Sequence, residues 1–198
     1  MRQKNRVEEE DRPDKENEAE NGHEENQEKH LEHHLKEHAR CLRLNDKAPD
    51  FCASAFYQER EIKVCLDDFK GRWLLLFFYS CNFTCLEATE LAEISEAYSC
   101  IRKLGAGVVA ISTDSVYSHQ AFAETSPRAC KFPFPLVSDR NGKISRAYGV
   151  WKYETATADR AVFIIDPQGT IKYYSVYPEE VDRNIEEIIR VLHCLQYD

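Results

Sequence analysis

Two cysteines and a glutamate lie close together in the stretch Phe77-Phe-Tyr-Ser-Cys-Asn-Phe-Thr-Cys-Leu-Glu-Ala-Thr-Glu-Leu91, as Cys81, Cys85 and Glu87. Thiols so placed can be oxidised, can close a short Cys-x-x-x-Cys disulfide, or can hold Cu(I), which soft thiolates favour. The same stretch runs from an apolar segment into a helical pattern. A helix N-terminus concentrates positive potential and free N–H groups, so a thiol there is held nearer its reactive thiolate form. Thr84-x-x-Glu87 also has the spacing of a capping box, and a carboxylate at Glu87 suits the positive end of the helix.

The flanking elements follow from periodicity. Leu74 to Tyr79 is a continuous apolar run, as in a central strand covered on both faces. Glu87 to Leu104 has helical period, with Leu91, Ile94, Ala97, Tyr98 and Ile101 on one side and Gly105 as the stop. Phe51 to Phe56 and Glu61 to Leu66 read as strands, and Val108 to Ser112 as a second buried one. Ser115 to Glu124 and Asn141 to Tyr148 read as helices, with Pro127 ending the first stretch. Ala161–Asp166 and Thr170–Val176 flank Pro167-Gln-Gly169, a hairpin signal. Glu179 to Leu195 closes the chain as an amphipathic helix, with Val181, Ile185, Ile188, Val191, Leu192 and Leu195 inward. This order predicts an α/β fold, a mixed sheet flanked by helices.

Composition narrows the partners. The chain has 198 residues and a formal net charge of −9, which argues against nucleic acid and anionic membrane. Its longest apolar run is too short to span a bilayer, and the charged N-terminus offers no signal-peptide core. A cytoplasmic setting is expected, with the eight cysteines as free thiols. Residues 1–40 are acidic and polar and predict a disordered tail ahead of one domain over 41–198. His30, His34 and His38 share one face if that tail is helical, but the simpler reading is a solvated segment without a ligand. Cys52, Cys65 and Cys100 fall in apolar-periodic segments and read as core, whereas Cys41 and Cys130 lie in connections. No cofactor and no bound metal is expected.

The stretch resembles the active-site loop of AhpC-type peroxiredoxins, members of the thioredoxin superfamily, which runs Phe-Phe-Tyr-Pro-x-x-Phe-Thr-x-x-Cys-Pro-Thr-Glu. Phe77–Tyr79, Phe83, Thr84, Thr89 and Glu90 match in register. Ser80 stands where the family has proline, and Glu87 stands where it has the peroxidatic cysteine. Ala48–Phe51, Val109–Asp114 with His119, Ser138–Asp139, Arg146–Val150 and Asp159–Gly169 extend the match. The resemblance implies a thioredoxin-like fold. It also implies a peroxide substrate, a thioredoxin-like reductant, and a homodimer paired through the Thr170–Val176 strand. By position, Thr84, Arg146 and Arg160 would surround the reactive group. The family's C-terminal resolving cysteine has no counterpart, because Cys194 falls inside the last helix.

Three readings stay open on the residues alone. Cys85 is the oxidised thiol and Cys81 resolves it. Or Cys81 and Cys85 form a copper or dithiol site, although Asp159–Arg160 stands where the copper-chaperone branch has a histidine. Or the chain is a catalytically inactive binding or regulatory protein, in which Glu87 forms a structural cluster with Arg146 and Arg160. His119 reads as structural in each case.

Overall fold

The computed structural model describes residues 42–125 and 132–197. The acidic segment with His30, His34 and His38, together with Cys41, Pro127 and Cys130, lies outside them. The described chain begins with a hairpin, β1 (Cys52–Tyr57) and β2 (Arg60–Cys65), followed by a 3-10 turn at Leu66–Phe69. Then come β3 (Trp73–Phe78), α1 (Cys85–Lys103), β4 (Ala106–Ser112), α2 (Val116–Thr125) and β5 (Leu136–Ser138). The rest comprises α3 (Lys143–Ala147), β6 (Trp151–Lys152), β7 (Thr157–Ala158), β8 (Arg160–Ile165), β9 (Ile171–Tyr177) and α4 (Ile185–Cys194).

Seven strands form one mixed sheet in the order β2-β1-β5-β4-β3-β8-β9. β3, β4 and β5 run parallel, joined by α1 and α2, while β8 and β9 return antiparallel beside β3. Parallel neighbours need such crossovers because a tight turn cannot reverse twice. The buried run of β3 splits by the two-residue period of a strand. Leu75 and Phe77, with Tyr79 beyond them, join a core containing Leu91 and Ile94 of α1, Phe122 of α2 and Ile188 and Leu192 of α4. Leu74, Leu76 and Phe78 face the other way, toward Ile144 of α3, Tyr148 and Val150. Helices therefore cover both faces. Gly105, at φ +68°, ends α1 where the sequence placed its stop.

Several expectations are corrected. The last helix starts at Ile185 and not Glu179, because Asn184 caps it by accepting from Glu187 N at 2.9 Å. Val181 lies outside that helix and is exposed. β5, β6 and β7 span two or three residues each, too short for periodicity to reveal. Cys52 and Cys65 are not free core thiols. They sit opposite each other in the β1–β2 register and form a disulfide at the sheet edge. Cys100 is exposed rather than core, since it lies one residue off the Ile94–Ile101 stripe of α1.

Candidate active site

The loop between β3 and α1 is held from below. Tyr79 N donates to Ile111 O at 3.0 Å, which continues the β3–β4 pairing one residue further. Asn82 is buried: its N–H donates to Asp114 Oδ2 at 2.7 Å and its side-chain amide to Ser118 Oγ at 2.9 Å. Its carbonyl oxygen accepts from Tyr79 Oη at 2.9 Å. His119 Nδ1 lies 3.2 Å from Tyr79 Oη, and Nε2 lies 3.3 Å from Val137 O. The tautomer with the proton on Nε2 donates to Val137 O and leaves Nδ1 to accept from Asn82 Nδ2 at 3.2 Å. Burial pushes this imidazole down to about 4, so it stays neutral and structural near pH 7.

Above that network the chain turns into α1. Phe83 adopts φ +63° and lays its exposed ring edge-on against Phe122. Thr84 is the extended N-cap, and its Oγ1 accepts from Glu87 N at 3.3 Å. Cys85 is the first helical residue and is exposed. The capping box is only half formed, because the Glu87 carboxylate turns inward instead of back to Thr84.

That carboxylate enters a buried ion network. Glu87 Oε2 accepts from Arg183 Nη2 at 2.9 Å, and Arg160 Nε lies 3.5 Å from Glu87 Oε1. Glu87 Oε1 also accepts from Ser80 N at 3.3 Å and Ser80 Oγ at 3.2 Å. Glu90 completes the set. Its Oε1 accepts from Arg183 N at 2.8 Å and from Arg160 Nη2, and its Oε2 accepts from Arg183 Nε at 3.0 Å. Arg160 Nη1 donates to the carbonyls of Pro178, Glu179 and Val181, and Arg183 Nη1 to Phe78 O at 2.5 Å. The Arg183 guanidinium also lies 3.5 Å from the centre of the Phe77 ring. Two cations and two anions thus balance in a space closed to water, the condition under which buried charges are tolerated. Burial still pushes the Glu87 carboxyl above its ordinary range, against the opposing pull of Arg183, the Ser80 N–H and Arg160.

The predicted residues therefore separate. Glu87 and Arg160 meet, with Thr84 capping the same turn and Cys81 beside Ser80, while Cys85 stays exposed on that turn. Arg146 does not join them. It lies on α3, against the opposite face of the sheet, where it stacks on Trp151 at 4.2 Å and donates to Asn141 O at 2.6 Å. Its expected place is taken by Arg183, from the loop before α4. Sequence reasoning missed Arg183 and the central role of Glu90. The available signal was a basic residue one position before a helix cap, in an otherwise acidic run. Cys81 is half-buried, and burial raises its thiol, with Asp114, Glu87 and Glu179 adding to the rise and Ser80 opposing it. Among the described residues no three His, Cys, Asp or Glu side chains converge as a metal site.

The AhpC/TSA family matches residues 44–174. A putative peroxiredoxin, ycf42, of Pyropia yezoensis is 39% identical over 160 residues, covering 79% of this chain and 80% of the relative. Alkyl hydroperoxide reductase C of Escherichia coli K12 is 32% identical over 154 residues, covering 78% and 82% respectively. The crystal structure of Enterococcus faecalis AhpC superposes with a TM-score of 0.76 at 34% identity, covering 78% of this chain and 92% of that one.

Proposed function

Because the chain belongs to the AhpC/TSA family and has its thioredoxin-like fold, we propose that it is a peroxiredoxin-like protein that reduces hydrogen peroxide or alkyl hydroperoxides through Cys85. The observation that carries this reading is the position of Cys85. It is an exposed thiol on the first turn of α1, beside the Thr84 cap, on the loop that resembles the peroxiredoxin active site. Glu87 cannot do the same work, because a carboxylate has no sulfur to accept the peroxide oxygen.

The Cys85 thiolate attacks one peroxide oxygen, the O–O bond breaks, and the other oxygen leaves as water or alcohol. Sulfur is oxidised to the sulfenic acid. Cys81 then attacks that sulfur, an S–S bond forms, and water departs. A thioredoxin-like dithiol returns both thiols by exchange. A homodimer fits the edge position of β9, whose Tyr174 and Val176 are exposed. A monomer in sedimentation at micromolar concentration excludes it.

One observation favours a second reading. Glu87 and Glu90 neutralise Arg160 and Arg183, so both guanidiniums are engaged inward. The fold is then a binding or regulatory module without chemistry.

Peroxide consumption by the reduced protein decides between them, with dimedone trapping followed by mass spectrometry. The enzyme reading expects consumption that Cys85→Ser abolishes, and a trapped sulfenic acid that persists in Cys81→Ser. A folded parent that leaves peroxide untouched sinks it and leaves the binding module.

A further inference from the structure

Two of the three residues that depart from the family's loop pattern, Ser80 and Glu87, are bonded to each other; the third is Ala88, in place of a proline. Ser80 presents both its N–H and its hydroxyl to Glu87 Oε1, at 3.3 and 3.2 Å. Proline at that position offers neither donor. The same Ser80 Oγ lies 4.0 Å from Cys81 Sγ. When its single hydrogen points at Glu87, a hydroxyl lone pair is left facing the thiol. A thiol, a hydroxyl and a carboxylate therefore stand in a row from the loop surface into the buried network.

We infer that Ser80 and Glu87 form a proton relay that activates Cys81 as the thiol that resolves an oxidised Cys85. Cys81 needs help of this kind. It is half-buried and faced by Asp114, Glu179 and Glu87, all of which disfavour its thiolate. Glu87 itself is faced by Arg183 from the loop before α4, Arg160 from β8 and Glu90 from its own helix. Desolvation raises it toward a more basic carboxylate, better matched to accepting a proton.

In the step, the Cys81 sulfur forms a bond to the Cys85 sulfur and the Cys85 S–O bond breaks. The Cys81 proton passes to Ser80 Oγ as the Ser80 proton passes to Glu87. The departing hydroxide takes up a proton from solvent and leaves as water, and Glu87 returns its proton outward through Ser80 Oγ. Ser80 and Glu87 act through Cys81 and are positioning and proton-relay residues. The inference rests on the thiol-peroxidase reading, but its test does not need peroxide.

The test uses full-length protein with Cys41, Cys100, Cys130 and Cys194 changed to serine. Cys85 is loaded as a mixed disulfide with Ellman's reagent, and release of the bound thionitrobenzoate is followed as Cys81 attacks. The relay expects release that Cys81→Ser abolishes. Ser80→Ala and Glu87→Gln slow it about tenfold or more near neutral pH, and the deficit shrinks as alkali generates the thiolate directly. Ser80→Thr restores most of the rate. A purely electrostatic Glu87 gives the opposite sign, because removing an anion beside Cys81 speeds release. Ser80→Ala leaves the buried ion pairs in place, so it reads the relay even where Glu87→Gln weakens the fold. Release that is unchanged in Ser80→Ala, or that survives Cys81→Ser, overturns the inference. Absence of a peroxide-derived sulfenic acid at Cys85 is a separate result, which removes the peroxidase reading and not the relay.

Discussion

Arg183 Nη2 donates to Glu87 Oε2 at 2.9 Å across 96 residues of sequence, and both side chains are shut off from solvent. The contact joins the first turn of α1 to the loop that leads into α4. Through Glu90 and Arg160 it also reaches β8, so three separate segments meet on one charge-balanced cluster.

Breaking that cluster from one side is costly. Arg183→Ala leaves Glu87 and Glu90 buried with one cation between them. It is expected to lower unfolding free energy by about 3–5 kcal/mol, the range for removing one partner of a buried ion pair. Urea denaturation measures this, and a loss below about 1 kcal/mol contradicts it.

Glu87→Cys places a thiol between Arg160 and Arg183 at a helix N-terminus. The guanidiniums and the helix end are expected to hold its pKa below the ordinary value of about 8.5. Peroxide consumption should rise on the order of a hundredfold over the parent. Thiolate absorbance against pH and stopped-flow peroxide kinetics check the two halves. An ordinary pKa with an unchanged rate shows that the cluster no longer activates sulfur.

Glu87 gives an unusual pH signature. Its folded-state pKa is raised above the ordinary 4.5, so the unfolded chain loses this proton first as pH rises. Its contribution to stability is full below about pH 4.5 and is lost as pH climbs through the folded value. The stability of the parent relative to Glu87→Gln should therefore fall with rising pH across that window. Paired unfolding curves in steps from pH 4 to pH 8 measure it, and a rising difference contradicts the burial argument.

His119 works in the opposite direction. Its pKa falls from 6.5 to about 4 on burial, so the unfolded chain binds the proton first as pH drops. Stability is expected to decline from pH 6.5 down through about 4, by roughly 3 kcal/mol in total for this group. NMR titration of the imidazole and acid unfolding of His119→Gln test it. A histidine that titrates near 6.5 in the folded protein contradicts it.

The Cys52–Cys65 disulfide closes a short loop, with a sequence separation of 13. A cross-link of that span contributes roughly 3 kcal/mol by restricting the unfolded chain. Peptide mapping without reductant should recover the linked β1 and β2 peptides, and dithiothreitol should lower the denaturation midpoint. Recovery of both thiols free from air-handled protein contradicts the link.

Most of the fold was written in local pattern. The apolar run of β3, the Leu91–Ile94–Ile101 stripe of α1 and the hairpin around Gly169 each carry their own period or turn chemistry, and each formed where expected. β5, β6 and β7 carry no period of their own, because two or three residues cannot complete one, and only pairing with neighbours makes them strands.

The site divides along the same line. The sequence by itself determined that Glu87 opens a helix behind Thr84, with Cys81 and Cys85 in the same loop, because capping and helix entry depend on neighbours a few residues away. Which arginines would meet Glu87 was decided by tertiary structure alone. Arg146 and Arg183 are similar as letters, but α3 packs on one face of the sheet and the segment before α4 ends over the other. A buried carboxylate takes the cation that the folded chain delivers to it, and that delivery depends on which face each helix covers, a global property of the sheet that no short window of residues contains.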